Sequence, residues 1–170
     1  MLPASARALA LAAGLVCCAV AQAQLTPPDP DWQELEVPAP PPLRTDHLVA
    51  IDLPGSTLQF GVDPSSVLVG RDGIVRYVVV ATSGSGAVNG FYEGIRCSTG
   101  EVRTYARHAP DSGWVVVKHN QWQSLHGSRP SRHSLAIARN GACIGSAPNQ
   151  NAGQVVRDLG GNHNRRGSNN

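Results

Sequence analysis

Three histidines, His119, His126 and His133, recur every seven residues, and evenly spaced imidazoles raise the question of a metal site. Ligands carried by one element stand two apart on a strand or three to four apart on a helix. A spacing of seven meets neither condition, so these residues read as solvent-exposed or capping histidines and no metal ligand is assigned. A second group, Glu93, Arg96 and Glu101, surrounds Cys97. On a strand, Arg96 points away from both Cys97 and Glu93. Arg96 therefore neither activates the sulfur nor pairs with Glu93, and it is expected to form an ion pair with a neighbouring strand. Trp114 and Trp122 read as core or helix-packing rings. The chain lacks a Gly-x-Ser-x-Gly elbow, a His-Glu-x-x-His helix and a Cys-x-x-Cys pair. Gly84, Gly86 and Gly90 follow an apolar run, but the residues after them are β-branched and aromatic. A phosphate cradle needs a helix there, and a hairpin loop accounts for these glycines instead. No catalytic residue and no cofactor is expected.

The cysteines carry more information. Of Cys17, Cys18, Cys97 and Cys143, the first two lie in an apolar run, Ala8 to Val20, that follows the single cation Arg7 and ends in Ala21-Gln22-Ala23. A membrane span needs roughly 20 apolar residues. This shorter run reads as a signal peptide, residues 1–23, cleaved after Ala23. Lipidation at Cys17 or Cys18 is disfavoured, because Leu15-Val16 precede Cys17 where a small residue is wanted. Export leaves Cys97 and Cys143 in an oxidising compartment, where a Cys97–Cys143 disulfide is the expected state. Closing a loop of about 47 residues removes unfolded-state freedom equivalent to roughly 4 kcal/mol in the chain-entropy model. The expected location is the periplasm, with the cell surface or medium as the alternatives.

The elements that position these residues are mostly strands. Residues 24–45 form a Pro-rich arm: Thr26 to Pro42 holds seven prolines and four acids, with Trp32 as its only aromatic residue. Proline lacks a donor and fixes φ, so the arm is extended. Trp32 is the ring in it that could dock on the domain. Residues 46–160 read as one β-rich domain. Leu48–Leu53 and Thr57–Val62 alternate as strands. Val67–Val69 and Ile74–Val80 flank Arg71-Asp72-Gly73, a hairpin signal because Asp and Gly tolerate positive φ. Further strands are expected at Val88–Cys97, Val102–Ala106 and Trp114–Val117. Ser131 would cap a short helix ending at Arg139, with Asn140-Gly141 as a left-handed exit, and a further turn of helix could occupy Ala152 to Leu159. Residues 161–170, rich in Gly, Asn and Arg, read as a disordered tail. The fold class is α+β, mainly β: a twisted antiparallel sheet or partial barrel of six to eight strands with one short C-terminal helix packed on it.

The strings Asp63-Pro64-Ser65-Ser66-Val67, Asp72-Gly73-Ile74-Val75-Arg76-Tyr77, Tyr92-Glu93-Gly94-Ile95-Arg96-Cys97 and Thr99-Gly100-Glu101, followed by Trp114, Trp122, His133 and Cys143, resemble the cryptic-neisserial-protein-like family of exported bacterial proteins. A more distant similarity is to the surface-adhesin protein E family. The first resemblance implies no reaction, and the second implies binding to host macromolecules. The formal net charge of +2 is scattered along the chain, which excludes the concentrated basic stripe of a nucleic-acid binder. The reading is an exported, non-enzymatic β-rich domain that binds a protein or cell-envelope component. An adhesin-like surface protein, or a hydrolase whose Ser, His and acid converge only in the fold, are the alternatives. After signal removal no membrane span remains, and the oligomeric state is left open.

Overall fold

The computed structural model describes residues 29–127 and 131–167. The expected signal run, Cys17, Cys18 and the expected cleavage point after Ala23 lie outside the described residues. Strands β1 (Val49–Ile51), β2 (Leu58–Val62), β3 (Leu68–Val69), β4 (Ile74–Ser83), β5 (Val88–Arg96), β6 (Glu101–Ala109), β7 (Gly113–Val116) and β8 (Gln123–Ser124) form one antiparallel sheet. The order is β1-β2-β4-β5-β6-β7, with β3 beside β4 and β8 beside β6. The sheet is open, not a barrel, because β1 and β7 end the order without meeting. The hairpin expected at Asp72-Gly73 forms, with Gly73 at φ 78° and Leu68 opposite Arg76. β6 and β7 are placed as expected, although β6 is longer at both ends.

Both faces of the central strands are buried. Alternation sends Val75, Tyr77, Val79, Ile95 and Val102 to one face, where they pack against Ile137, Ala138, Val155 and Leu159. It sends Val78, Val80, Tyr92, Tyr105 and Ala106 to the other. The split at β6 requires a bulge. Tyr92 pairs with Ala106 but Glu93 pairs with Thr104, so Tyr105 is an extra residue.

The first face is covered from the C-terminal side. Helix α1 (Arg132–Ile137) passes directly into a π-helical turn, Ala138–Ala142. The left-handed exit expected at Asn140-Gly141 is therefore not formed. Instead Asn149 takes up the freed carbonyls, donating its side-chain amide to Gly141 at 2.8 Å and its backbone N–H to Ala142 at 2.9 Å. A short hairpin, β9 (Cys143–Ile144) and β10 (Ala147–Pro148), leads to α2 (Ala152–Gly167). Asn151 caps α2 through Gln154 N–H. Helix α2 runs past residue 160, so the tail reading is corrected as far as Gly167. Its Val155 and Leu159, four apart on one face, are what anchor it. Cys97 and Cys143 are joined, with Cα atoms 5.7 Å apart. The bridge ties the end of β5 to the exit of the π turn.

The second face is covered by the Pro-rich arm, which lies along it in an extended path. Trp32 Nε1 donates to the Asp72 carbonyl at 2.8 Å, and Trp114 Nε1 donates to the Pro41 carbonyl at 2.7 Å. Between these two ties, Glu34 accepts from Tyr105 Oη at 2.6 Å and Arg103 Nη1 at 2.7 Å, and lies 3.4 Å from Arg76 Nη2. Arg76 is only 2 % exposed and also holds Asp72 at 2.6 Å. Val37 and Leu43 complete the apolar contact. The close approach depends on Gly90, where an added Cβ would fall 2.6 Å from Leu43 Cδ1. Trp114 and Trp122 both serve the arm and not a helix: Trp122 meets Trp32 edge-on at 6.2 Å. Arg96 stacks over Trp32 at 3.6 Å, in place of the ion pair expected for it.

Two outcomes are expected from this arrangement. Reduction, or Cys97→Ser, should lower the melting temperature by roughly 10–20 °C if most of the loop-closure term survives. Equal melting with and without reductant would refute this. Glu34→Ala leaves Arg76 and Arg103 without their shared acid, and should cost about 2–4 kcal/mol while making residues 29–43 sensitive to limited proteolysis.

Candidate functional site

Glu93 is the unexpected residue of β5. It shares a face with Phe91 and Ile95, which are apolar, and is 3 % exposed. A carboxylate placed there must be fully hydrogen-bonded. Ser134 Oγ donates to Oε2 at 2.8 Å and Tyr77 Oη at 3.0 Å, while Thr104 Oγ1 donates to Oε1 at 3.3 Å. His133 Nε2 lies 3.3 Å from both carboxylate oxygens. Burial alone would push the Glu93 carboxyl up, but the hydrogen bond and charge of His133, with the bonds from Ser134 and Tyr77, outweigh it and hold the group below its ordinary range. The Tyr77 hydroxyl is pushed well above its usual value by burial and by the Glu93 charge.

His133 is set by its own neighbours. Its ring stacks on Phe60 at 4.9 Å and on Phe91 at 5.9 Å. Arg107 sits over the Phe91 ring at 5.2 Å. Above this aromatic and acidic floor opens a cleft of about 370 Å³ lined by Glu93, Val102, Thr104, Arg107, Val117, His119, Asn120, Gln121, Gln123, Ser131 and His133. Its outer wall is the segment after β7. That wall is pinned by Asn120, whose side-chain oxygen accepts from Arg103 Nη2 at 2.9 Å and whose amide donates to the Thr104 carbonyl. His119 adopts φ 57° at the bend, a left-handed conformation in which His is among the better-tolerated residues. A larger depression of about 480 Å³ lies at the β1–β2 edge, but Asp52 is its only ionisable lining residue. The polar cleft is therefore the better candidate.

Ser131, His133 and Glu93 converge here, which invites a nucleophilic reading. The geometry does not fit it. Ser131 Oγ is 3.2 Å from both Nδ1 and Nε2 of His133. An oxygen equidistant from both ring nitrogens lies off the lone-pair axis of each. A base that activates serine uses one nitrogen for the hydroxyl and the other for the acid. Moreover, Ser131 Oγ is engaged with Ser134 Oγ at 2.7 Å. The set orients and solvates a buried charge.

Of the three spaced histidines, the fold brings His119 and His133 into one cleft. It places His126 in a different depression, beside the disulfide and Arg139. Among the described residues no three His, Cys, Asp or Glu side chains converge as ligands. Glu93 and Arg96 do face opposite ways, the first toward α1 and the second toward the arm. Sequence reading overlooked Tyr77, Thr104, Ser131, Ser134 and Arg107. Parity held the available signal: a glutamate between Phe91 and Ile95 on the same strand face is a charge pointing into a core.

The model of the CNP1-like family matches residues 28–160. The chain belongs to this family. The match to the CNP1-like family begins where the docked arm begins and ends within α2, so it contains the arm, both sheet faces, the disulfide and the cleft. No curated protein and no solved structure matches the chain. Among the described residues no helix is long and apolar enough to cross a membrane.

Glu93→Gln keeps the shape of the node but not the charge, and should destabilise the domain by about 2–4 kcal/mol at neutral pH. Because the folded carboxyl titrates below its unfolded value, its contribution is present above the ordinary carboxylate range and is lost as pH falls through the folded value. Chemical denaturation across pH should therefore show an acid limb in the parent protein that is shallower in Glu93→Gln. Parallel limbs would show that Glu93 does not contribute to it.

Proposed function

We propose that this protein is an exported, non-enzymatic binding module of the periplasm whose partner, a protein or cell-envelope component, is held at the Glu93–His133 cleft. One observation carries the reading. A buried carboxylate is maintained with donors from Tyr77, Thr104, Ser134 and His133 directly beneath an open cleft, although an apolar residue there would pack without needing them. Perturbed, charge-bearing groups under a cleft are where binding sites concentrate. The rim offers donors to a partner: the Arg107 guanidinium, the His119 imidazole and the amides of Gln121 and Gln123. These favour carbonyl, carboxylate or hydroxyl groups on the ligand. Export is supported by the N-terminal apolar run ending in Ala21-Gln22-Ala23 and by cysteine usage.

Two measurements test this. Intact mass of protein recovered from bacterial expression of the full-length sequence should place the N-terminus at Gln24, in the periplasmic fraction; retention of residues 1–23 in the cytoplasm would overturn export. In a non-reducing pulldown from envelope extract, a species bound by the parent should be weakened at least tenfold by the Arg107→Glu, His119→Ala double variant, both positions being exposed. Equal retention by parent and variant would remove the cleft as the binding site.

A further inference from the structure

We infer that β7 is a self-pairing edge, and that the chain forms a two-fold dimer by antiparallel pairing of β7 with β7 of a second copy. β7 ends the strand order, and its hydrogen-bonding direction is settled by the residue after it. Val117 N–H donates to the Tyr105 carbonyl of β6 at 2.9 Å. By alternation, the N–H and C=O of Val115 and Gly113 also face β6, and those of Trp114 and Val116 face outward. The side chains at this edge are apolar and open: Val115 is 49 % exposed and Val116 70 %. Natural sheets blunt such edges with charge, proline, brevity or a covering element. The opposite edge is so treated. β1 has three residues, Asp52 and Pro54 follow it, and α2 packs against it. Gly113–Val116 is also short and has Pro110, Asp111 and Lys118 at its ends, but no helix is laid against it as α2 is against β1, and its two valines stay open.

The charges flanking β7 favour a second copy over an unrelated strand. Asp111 precedes β7, and Lys118, the only lysine of the chain, follows it. Both are exposed, and neither takes part in an ion pair described within the chain. In antiparallel self-pairing, the head of one strand lies beside the tail of the other. With Trp114 and Val116 facing outward, a two-fold pairing centred on Trp114 or Val115 sets Asp111 one position from the partner's Lys118, within reach of that flexible ammonium, and the axis makes the pair twice. The same pairing sets the second copy beside Val117 and His119, on the wall of the cleft. A short edge gives a small interface, so association in the micromolar range is expected.

The test is sedimentation equilibrium of the protein expressed from the full-length sequence, from about 1 to 500 μM. The expected result is a reversible monomer–dimer equilibrium. Val116→Pro removes an outward-facing donor without touching the β6 ladder, and should give a monomer with the parent's circular dichroism. Asp111→Lys and Lys118→Asp should each raise the dissociation constant about three- to tenfold, and the double exchange should restore it. A monomer at every concentration overturns the inference. So does a dimer indifferent to Val116→Pro, or a double exchange no tighter than the single ones. A monomer captured through this edge by a different protein overturns the assignment to a second copy.

Discussion

Strands β4 and β5 are buried on both faces, and an antiparallel sheet in that state needs a cover on each side. The helices and π turn supply one cover. The other is a proline-rich segment with little apolar surface of its own, and hydrophobic contact from Val37 and Leu43 alone would hold it weakly. Glu34 supplies what is missing. Its carboxylate joins Tyr105, Arg103 and Arg76, so the arm adds a second acid to a buried guanidinium that Asp72 holds through both terminal nitrogens. Without the arm, Val78, Val80, Tyr92 and Arg76 would face water. The N-terminal segment is thus a structural layer of the domain, covering the second sheet face.

A second buried acid, Glu93, plays the matching part on the helix face. It fixes where α1 sits, because Ser134 and His133 must reach it from successive residues of one short helix. Six residues of helix have little stability of their own. Their position is held by this polar node, by Ile137 in the core, and by the disulfide just beyond. The cleft between α1 and the segment after β7 follows from the same constraint, since lowering α1 further would crush the hydrogen bonds to Glu93.

Much of the strand pattern could be read from alternation. The hairpin at Asp72-Gly73 was legible because its turn residues are local signals. The pairing of Cys97 with Cys143 was legible because only these two cysteines lie outside the N-terminal apolar run. Other features were not. The π turn at Asn140-Gly141 depends on Asn149, eight residues or more away, accepting the role of a cap. The extent of α2 depends on Val155 and Leu159 finding the π turn. Arg96 was assigned an ionic partner because local reading sees only charged neighbours, whereas its contact is Trp32, sixty-four residues earlier.

What the sequence determined by itself, then, is the set of elements whose causes are local: period-two strands, glycine turns, an extended arm and one disulfide. These follow from backbone sterics and from counting cysteines. Tertiary structure alone decided what the buried acids hold. Parity on β5 marks Glu93 as a charge among apolar neighbours, but nothing in the chain marks Glu34 or names the partners of either acid. Their roles arise because the sheet brings residues from distant segments to each carboxylate, and long-range pairing of this kind leaves no periodic trace in the sequence.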